Sequence, residues 1–426
     1  MKVLILGYVW PEPNSSAAGS RIVELITAFT DAGWLVEFAS AATPTEHQVD
    51  LTGLGVSTHS IELNASSFDE FVAGRAPDIV VFDRFVTEEQ FGWRVATACP
   101  TALRVLDTED LHSLRLTREQ LHKQAMKRDR KTALPVSIEK QALYQAMLSE
   151  GTILREVAAI LRSDISLMIS DVEKMLLQSQ FAVPDYLLHH LPFMLNVQNI
   201  NPMPDFAARR GFVCMGNFRH APNWDAVLWL KETVWPEIRA RLPGATLSVC
   251  GAYPPPKATA LHNKREGFCV TGWVDNAEQT IMQHRVLLAP LRFGAGIKGK
   301  LVDAMQTGTP SVTTSVGAEA MHGIHPWPGE ITDDPAAIAE AAVALHENEL
   351  LWQEASEKSA PLLQARYTAP VLGSELTGLL GDLKRDLSAH RERNFLGQMM
   401  NHHSMRSSEF MSRWIEVKSR KNLENL

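Results

Sequence analysis

Residues 290–305 read PLRFGAGIKGKLVDAM, a stretch rich in glycine and lysine that joins an apolar run to a helical run. The apolar run, residues 286–291, has the length of a buried strand, and residues 297–307 have the apolar spacing of a helix. Glycines let the backbone approach a ligand closely, and the first turn of a helix offers free N–H groups at the positive end of its dipole. With two lysines added, the stretch predicts an α/β domain that holds a phosphate or diphosphate.

Two better-known phosphate motifs overlap this stretch, and neither fits it. Gly294, Gly296 and Gly299 satisfy the dinucleotide fingerprint, but that fingerprint belongs to the first turn of a domain and this copy follows a late strand. Gly299 and Lys300 approach the end of a P-loop, but Leu301 stands where the magnesium-binding Ser or Thr is required. A tight glycine turn with solvated lysines stays an alternative, and a solvated position is favoured for Lys300.

Alternation of strands and helices extends from this stretch to both ends of the chain. The predicted strands are residues 2–7, 35–40, 78–83, 102–107, 165–170 and 186–191 in the first half, and 211–216, 246–251, 268–271, 286–291 and 310–314 in the second. Strands separated by helices form parallel sheets that are covered on both faces. A chain of 426 residues is too long for one core, so we expect an α/β protein with two Rossmann-like domains in tandem.

Changes of pattern along the chain set the predicted domain limits. The predicted units are a first domain at residues 1–195 with a helical insertion at about 113–162, a linker at 196–210, a second domain at 211–390 and a helical tail at 391–426. Pro202 and Pro204 mark the linker, and Pro135 divides the insertion into two helices. The polar tail is expected to pack back on the first domain.

Composition excludes several classes of protein. The formal net charge is −8, whereas a general nucleic-acid-binding domain is usually basic, so no nucleic-acid partner is expected. Hydrophobic residues make up 45% and charged residues 21% of the chain, as in ordinary globular proteins. The sequence contains no apolar run of the roughly 18 residues that span a bilayer, and residues 3–13 do not form a signal peptide. These features favour a cytoplasmic protein.

The sequence around the glycine-rich stretch resembles a known family. Residues 290–319, PLRFGAGIKGKLVDAMQTGTPSVTTSVGAE, resemble the donor-binding segment of glycosyltransferase family 4 and its GT-B relatives. Residues 216–225 (GNFRHAPNWD) resemble the first loop of the same C-terminal domain, and residues 272–275 (GWVD) resemble its base-contacting loop. Residues 107–113 (DTEDLHS) resemble the interdomain edge of the N-terminal domain in one bacterial branch, and the Gly-Ala-Gly-Ile-Lys donor loop is also familiar in a branch of the family.

The resemblance implies the GT-B fold, in which two Rossmann-like domains face each other across a cleft. It also implies a retaining glycosyltransferase that moves a sugar from a UDP- or GDP-sugar donor to a glycan or lipid-linked acceptor. In the family, the departing phosphate oxygen is usually proposed to take the acceptor proton, which requires no enzymic base. Such an enzyme is expected in bacterial cell-envelope polysaccharide synthesis, in the cytoplasm or at the inner face of the cytoplasmic membrane.

By this resemblance, the donor lies against the glycine-rich stretch. Asp303 stands where the family normally has a Glu that hydrogen-bonds the ribose hydroxyls, and it keeps the two acceptor oxygens. Ala295 stands where the family often has a further acid, so backbone N–H groups of Gly294 and Gly296 are expected to face the sugar or diphosphate. Lys298 is expected to neutralise the diphosphate as the glycosidic bond breaks.

The remaining donor contacts implied by the resemblance come from loops around the same cleft. Arg219 is a second candidate for neutralising the diphosphate, and Val274 is expected to contact the base through its backbone. Gly317 and Glu319 lie in a loop expected near the donor. Gly19, at the first predicted helix, is expected to face the diphosphate from the other domain.

Acidic and histidine side chains follow the fourth predicted strand. Asp107, Asp110 and His112 are the catalytic candidates, with Glu109 beside them, because ligands of α/β proteins bind at the carboxyl ends of strands. Asp110 is equally typical of a helix N-cap, and His112 of a surface or capping histidine. The cleft segments contain no Asp-x-Asp pair, so we expect a reaction without metal or cofactor.

The stretch from Arg115 to Lys131 carries many basic side chains against Glu119 and Asp129. A charge run of this kind usually forms a solvated face. The alternative is contact with an anionic membrane surface, where a lipid-linked acceptor would be found.

Other functions remain open beside the glycosyltransferase. A phosphorylase with the GT-B fold would need a pyridoxal lysine and a much longer chain, and a nucleotide-sugar epimerase would act without an acceptor. A catalytically silent GT-B scaffold would bind nucleotide or glycan without turnover. Ala295 and Asp303 are the reason that the scaffold function stays an alternative, because both residues depart from the family pattern.

Overall fold

The computed structural model describes residues 1–128, 140–197 and 203–424. Within them the chain forms two parallel sheets. The first sheet has the order β3-β2-β1-β4-β5-β6-β7, with β1 at Lys2–Gly7, β2 at Leu35–Ser40, β3 at Ser57–Ser60, β4 at Ile79–Asp83, β5 at Leu103–Asp107, β6 at Ile165–Met168 and β7 at Leu188–His190. The second has the order β10-β9-β8-β11-β12-β13, with β8 at Phe212–Met215, β9 at Leu247–Cys250, β10 at Phe268–Gly272, β11 at Val286–Ala289, β12 at Ser311–Thr313 and β13 at Gly329–Ile331.

Helices connect the strands and cover the sheets. The helices of the first half are α1 at Ala17–Asp31, α2 at Ser67–Arg75, α3 at Arg84–Ala98, α4 at His112–Arg128, α5 at Lys140–Glu150, α6 at Thr152–Arg162 and α7 at Asp171–Phe181. Those of the second half are α8 at Ala221–Trp229, α9 at Trp235–Arg241, α10 at Pro256–Thr259, α11 at Ala277–Met282, α12 at Gly299–Gln306, α13 at Ser315–Ala318, α14 at Pro335–Glu347, α15 at Glu349–Glu357, α16 at Ser359–Arg366, α17 at Ala369–Arg385, α18 at Leu387–Arg393 and α19 at Phe395–Glu424. The predicted α/β class with two Rossmann-like domains is confirmed.

The alternation of side chains along each strand explains why both faces of a sheet are covered. In β1, Val3 and Ile5 pack into one apolar core of the first domain, and Leu4 and Leu6 pack into the other. Successive strand residues point to opposite faces, so a run of consecutive apolar residues requires a layer of helices on each side. The apolar runs of the sequence therefore locate most of the strands.

An apolar seam joins the two domains. Ile169 and Phe193 of the first domain are buried in the same cluster as Ile297 and Leu301 of the second. Ile297 belongs to the glycine-rich loop, and Leu301 to the helix that follows it. This seam holds the loop directly against the first domain.

The insertion after β5 differs from the prediction. Its described residues form three helices, α4, α5 and α6, where two were predicted, and the predicted division at Pro135 lies outside the described residues. Glu156 of α6 accepts hydrogen bonds from the backbone N–H groups of His112 and Ser113 at 2.7 and 3.1 Å. A carboxylate at this end of a helix also complements its dipole, so α6 fixes the beginning of α4.

The C-terminal helices return to the first domain. Leu376 and Leu380 of α17 are fully buried in a core cluster of that domain, although residues 211–390 were grouped with the second. Farther along, α19 lies against α3 and α6, and Arg94 donates a hydrogen bond to Ser412 Oγ at 3.1 Å. The chain therefore crosses back earlier than the predicted boundary at residue 390.

Candidate active site

The glycine-rich loop lies between β11 and α12 and leads into that helix. Gly299 begins α12, with Lys298 as its N-cap residue. Gly296 has a φ of +64°, in the left-handed region that favours glycine. A Cβ atom on Gly296 would lie 3.0 Å from the Cβ of Asp110, and one on Gly299 would lie 3.0 Å from the Cβ of Ala17. The first domain approaches the loop closely at both places, and the backbone conformation of Gly296 also favours glycine.

A second helix N-terminus reaches the loop from the first domain. Ala17 begins α1, and Ser16 caps the helix by accepting a hydrogen bond from the N–H of Gly19 at 3.1 Å. Gly19 lies against the preceding loop, since a Cβ there would lie 2.5 Å from the carbonyl carbon of Glu12. Gly19 thus allows close packing, while Ala17 faces Gly299. The positive ends of α1 and α12 therefore meet between the domains.

Charged groups enclose Lys298. It is only 8% exposed, and its Nζ donates a hydrogen bond to the carbonyl of Gly296 at 2.7 Å. Burial lowers the pKa of Lys298, whereas the carboxylates of Glu319 and Glu173 oppose that shift. The predicted phosphate-binding lysine is therefore held inside the loop, near carboxyl groups of both domains.

Glu173 of α7 is a contact that the sequence analysis did not assign. Its carboxylate is fully buried and accepts hydrogen bonds from the backbone N–H groups of Leu111 at 3.1 Å and Gly296 at 2.5 Å. Burial raises the pKa of Glu173 to about 8, Asp110 adds to the shift, and Gly296 and Lys298 oppose it. A single side chain thus joins the first domain to the donor loop.

Arg118 of α4 bridges the two domains. Its Nη1 and Nη2 donate to the two carboxylate oxygens of Glu319 at 2.7 and 2.8 Å, and Nη1 also donates to the carbonyl of Gly294 at 2.8 Å. Burial alone would raise the pKa of Glu319, but the hydrogen bonds from Arg118 hold it below its ordinary value. Gly294 and Glu319, both predicted donor contacts, are engaged by the first domain.

Helix α4 also shows where the predicted basic face lies. Arg115 and Arg118 form ion pairs with carboxylates at the interdomain site, so the prediction of a solvated or membrane-facing surface is wrong for these two. Lys123 and Lys127 are exposed. Residues 129–131 lie outside the described part of the chain.

Asp110 and His112 lie beside Gly296. Asp110 accepts a hydrogen bond from Arg115 Nε at 2.7 Å, and its carboxylate lies 3.3 Å from Nε2 of His112. Burial opposes ionisation of Asp110, but Arg115 holds its pKa well below the ordinary value. Burial lowers the pKa of His112 to about 4, so the imidazole is neutral at pH 7. The N-cap alternative for Asp110 is not what the structure shows, because Glu156 caps α4.

Asp107 lies in the core of the first domain. It has no exposed surface, and its two carboxylate oxygens accept hydrogen bonds from Arg21 Nε at 2.8 and 3.0 Å. Arg21 is equally buried and donates from Nη1 to the carbonyl of Leu191 at 2.8 Å. This geometry favours a structural role for Asp107 over the predicted catalytic one.

Two residues that follow the strands have an unusual backbone. Arg84 and Glu109 have φ values of +69° and +60°, and such strain clusters at functional sites. Glu109 is buried, and its Oε1 has no hydrogen-bond partner among the described residues. Burial raises the pKa of Glu109 well above its ordinary value, with Asp107 and Asp83 adding to the shift. Glu109 is therefore a stronger candidate for a ligand contact than Asp107.

Asp303 lies in α12, near enough to Glu24 of α1 for the two carboxyl groups to influence each other. Burial raises the pKa of Asp303 to about 7, Glu278 adds to the shift, and Lys300 opposes it. Burial also raises the pKa of Glu24 in α1 to about 8, with a contribution from Asp303. Lys300 donates a hydrogen bond to Asn223 Oδ1 at 2.6 Å, so the solvated position predicted for it is wrong.

Arg219, a predicted diphosphate contact, follows β8, and Val274, the predicted base contact, follows β10. Arg219 is exposed, and its guanidinium carbon lies 3.6 Å from the centre of the Tyr253 ring. The Tyr253 hydroxyl lies 3.1 Å from both carboxylate oxygens of Glu12, which links the two domains. Val274 is partly buried against the apolar seam. Arg219 thus lies beside Tyr253, and Val274 lies against the seam that contains Ile297 and Leu301.

A cavity of about 490 Å³ opens between α7 and α13, beside Glu319. Its wall includes residues of both domains: Asp171, Val172, Met175, Ser315, Ala318, Glu319, Ala320, His322, Gly323 and Ile331. Gly317 supports this wall, since a Cβ there would lie 1.9 Å from Thr313 Oγ1. Glu319, the partner of Arg118, thus borders open space.

Neither a metal cluster nor a membrane span is found in the part of the chain that the structure describes. Within residues 1–128, 140–197 and 203–424, His, Cys, Asp and Glu side chains do not gather in threes that could hold a metal ion. In the same ranges, each helix is too short or too polar to cross a bilayer.

Comparison with known proteins identifies the second domain. Residues 209–348 match the model of a family described as glycosyl transferases group 1. The match runs from β8 to α14 and includes the whole glycine-rich loop. No curated protein matches the chain.

Solved structures show the fold of the whole chain. HepE from Anabaena, in complex with UDP and glucose, is 12% identical with a TM-score of 0.65, over 89% of this chain and 99% of that chain. Sucrose-phosphate synthase from Thermosynechococcus elongatus is 15% identical with a TM-score of 0.66, over 91% and 99%. A glycosyltransferase from Rickettsia africae is 10% identical with a TM-score of 0.63, over 90% and 98%. Likeness at such low identity shows the fold alone, and that fold is GT-B. Because the second domain also matches the group 1 model, the chain is a transferase of the EC 2.4 class.

Proposed function

We propose that the chain is a retaining glycosyltransferase that moves a sugar from a UDP- or GDP-sugar to a glycan or lipid-linked acceptor in bacterial cell-envelope polysaccharide synthesis. One observation carries the proposal: the N-termini of α1 and α12 meet at a glycine loop that holds the buried Lys298. Free N–H groups, the positive ends of two helix dipoles and an ammonium group together suit a diphosphate. The presence of UDP in the HepE structure, which shares the fold, supports a nucleotide-sugar donor.

In this proposal, the diphosphate lies against the N-termini of α1 and α12, beside the contact of Ala17 with Gly299. Lys298 exchanges its hydrogen bond with the Gly296 carbonyl for one with a phosphate oxygen, a charge-assisted bond of greater strength. Asp303, farther along α12, accepts hydrogen bonds from the ribose hydroxyls. The base extends toward the edge of the cleft that Val274 borders.

The donor sugar lies at the edge of the contact between Gly296 and Asp110, where the glycine-rich loop meets the first domain. A sugar at this place contacts both domains. His112 is neutral at pH 7 and can donate or accept one hydrogen bond with a sugar hydroxyl. Glu319 and Arg118 form the opposite wall and offer both acceptors and donors.

The departing phosphate, and not a side chain, takes the acceptor proton in the proposed reaction. Asp107 is saturated by Arg21, and the low pKa values of Asp110 and His112 make both of them weak bases. The acceptor oxygen bonds to the anomeric carbon on the face from which the nucleotide leaves. Its proton passes to the departing phosphate oxygen as the bond between carbon and phosphate oxygen breaks, and the configuration is retained.

A comparison of two lysine variants tests the phosphate site. Lys298→Ala should weaken binding of the nucleotide-sugar by about 10- to 150-fold, because charge-assisted hydrogen bonds contribute about 1.5–3 kcal/mol. Lys257, an exposed lysine of the same domain, provides the control, and Lys257→Ala should bind as the wild type does. Titration calorimetry with UDP- and GDP-sugars measures the donor, and initial rates measure the acceptor KM. If Lys298→Ala weakens donor and acceptor binding equally, or weakens neither, Lys298 does not bind the phosphate.

A thermal-shift screen of nucleotides and nucleotide-sugars tests the donor class itself. A ligand at about 100 times its dissociation constant adds about 2.7 kcal/mol to the free energy of unfolding. We expect a UDP- or GDP-sugar to raise the melting temperature. The absence of a shift with every nucleotide tested would refute the proposal.

A catalytically silent scaffold is the second candidate, and one observation favours it. Arg118 already occupies both Glu319 and the carbonyl of Gly294, so part of the predicted donor surface is engaged by the protein itself. A scaffold would bind nucleotide but release none from a nucleotide-sugar, whether acceptor is present or absent. An epimerase would interconvert the donor without an acceptor. A nucleotide-release assay combined with sugar analysis separates the three functions.

A further inference from the structure

Helix α19 carries an apolar stripe on its exposed side. Phe410, Trp414 and Val417 are 65%, 59% and 53% exposed, and they recur at the spacing of one helix face. Other exposed apolar side chains of the same helix are Phe395, Leu396, Met399 and Met411. Scattered apolar residues on a surface need no explanation, but a stripe along one helix marks an interaction site.

The stripe faces away from the protein. Ser412 accepts a hydrogen bond from Arg94, and Ser66 donates to Glu416 Oε1 at 2.7 Å, so these positions define the face that packs on the first domain. At 3.6 residues per turn, Phe410 and Trp414 lie roughly half a turn around the helix from Ser412. The inner face of α19 is therefore covered by the first domain. The apolar stripe on the outer face is left for a partner to cover.

The charges along the stripe are basic. Residues 406–421 contain five basic residues, Arg406, Arg413, Lys418, Arg420 and Lys421, and two acids, Glu409 and Glu416, in a chain whose net charge is −8. Both acids are engaged within the chain: Glu409 lies 2.6 Å from Arg413, and Glu416 accepts from Ser66. By sequence, the segment thus carries a net charge of +3 (five bases minus two acids) alongside the apolar side chains.

We propose that this face of α19 docks on the surface of an anionic lipid bilayer. A helix that combines Trp and Phe on its outer face with flanking Lys and Arg lies in the interface plane, with its apolar side chains among the acyl chains and its bases near the headgroups. Lys418 Nζ lies 5.0 Å from the centre of the Trp414 ring, so base and aromatic ring reach the same depth. A second copy of the chain fits less well, because pairing two such faces would bring like charges together.

The docking surface is separate from the proposed donor site. It lies on the helix that packs against α3 and α6, whereas the donor loop joins β11 to α12. Membrane docking would bring the protein to a lipid-linked acceptor, and in that respect it extends the proposed function. Binding to lipid alone does not require glycosyl transfer, so the two proposals fail independently.

Vesicle co-sedimentation of the full chain tests the proposal. The vesicles are phosphatidylcholine alone, or phosphatidylcholine with about one third phosphatidylglycerol. The wild type should bind the anionic vesicles at low salt, and the double variant Phe410→Asp/Trp414→Asp should bind at least about tenfold more weakly, since burying each aromatic side chain contributes more than 1.4 kcal/mol. Leu350→Asp, at a 73% exposed leucine of α15, should bind as the wild type does.

Two further arms separate the alternatives. A Lys123→Glu/Lys127→Glu variant tests helix α4, and it should keep its vesicle binding. Light scattering of the wild type without lipid tests self-association, and a monomer is expected. The proposal is overturned if the wild type does not bind anionic vesicles, or if the α19 variant binds them as well as the wild type does. It is also overturned if only the α4 variant loses vesicle binding, or if the stripe forms a dimer and does not bind lipid. Soluble nucleotide-sugar binding, measured without vesicles, confirms that the α19 variant is folded.

Discussion

Replacing Asp107 by Asn tests whether the acid at the end of β5 is structural or catalytic. The ion pair of Asp107 with Arg21 is fully buried, with Nε to oxygen distances of 2.8 and 3.0 Å. Arg21 also donates to the carbonyl of Leu191, so its guanidinium ties together α1, β5 and the segment after β7. Removing one partner of a buried pair leaves an uncompensated charge and typically costs about 3–5 kcal/mol. Asp107 is one cause of the raised pKa of Glu109, so its removal favours ionisation of Glu109 near Arg21, which places the expected loss toward the lower end.

Urea unfolding should report this loss directly for Asp107→Asn. A second variant, Arg21→Met/Asp107→Leu, removes both charges together. Replacement of a buried ion pair by apolar side chains is often neutral, so the double variant should recover most of the free energy of unfolding. Such a recovery would show that the single variant is destabilised by the unpaired charge of Arg21, and not by the loss of the carboxylate as such.

The turnover rate of Asp107→Asn can refute the structural role of Asp107. A general acid or base contributes about 10²- to 10⁴-fold to the rate, so a catalytic Asp107 would be visible against any effect on stability. We expect the turnover rate of folded Asp107→Asn to lie within about threefold of the wild-type rate, a much smaller loss than the removal of a general acid or base would cause. If the variant keeps its stability and loses turnover by about 100-fold or more, Asp107 is catalytic and the structural role is wrong.

Two further predictions concern residues beside the donor loop. Burial lowers the pKa of His112 to about 4 from 6.5, so its contribution to stability is present above pH 6.5 and lost as the pH falls toward 4. Urea unfolding at neutral pH and at about pH 4.5 should show a loss of about 2.5 kcal/mol in the wild type that His112→Asn lacks, and an equal loss in both would contradict this. Gly296→Ala should weaken donor binding by about tenfold, because its φ is +64° and its Cβ would crowd Asp110. Gly244→Ala, with no atom within 4 Å of the new Cβ, is the control, and equal donor affinity of the two variants in calorimetry would refute the crowding.

The central strands were predictable because their apolar runs are long and doubly buried. The strands β3 and β13 were missed because they are short strands at the edges of their sheets, and β3 reads Ser-Thr-His-Ser. An edge strand needs few apolar residues, so it leaves little pattern in the sequence. The position of α17 was missed for a different reason. Its apolar face predicts burial but does not specify which of two similar domains it covers.

Candidate site residues were harder to interpret because the same residue types serve structure and function. Asp107 ends a strand as a catalytic acid would, but its partner Arg21 lies 86 positions away in the chain. Glu173 follows Ser170 at the spacing of a capping box, and Ser170 does accept from the Glu173 N–H at 3.2 Å. That local pattern accounts for the residue completely, so the sequence gives no sign that its carboxylate reaches Gly296, 123 positions away.

The departure at Ala295 is consistent with the charges that surround the donor loop. The charged side chains of this cluster are Lys298, Arg115, Arg118, Asp110, Glu319 and Glu173. Burial raises the pKa of Glu173 to about 8, so it is mostly protonated at pH 7, and three cations then face two ionised carboxylates. This excess positive charge favours an arriving diphosphate. Ala295 packs in the apolar core cluster of the first domain. An acid at that position would cancel the excess charge and place a carboxylate among apolar side chains, and both effects would oppose donor binding.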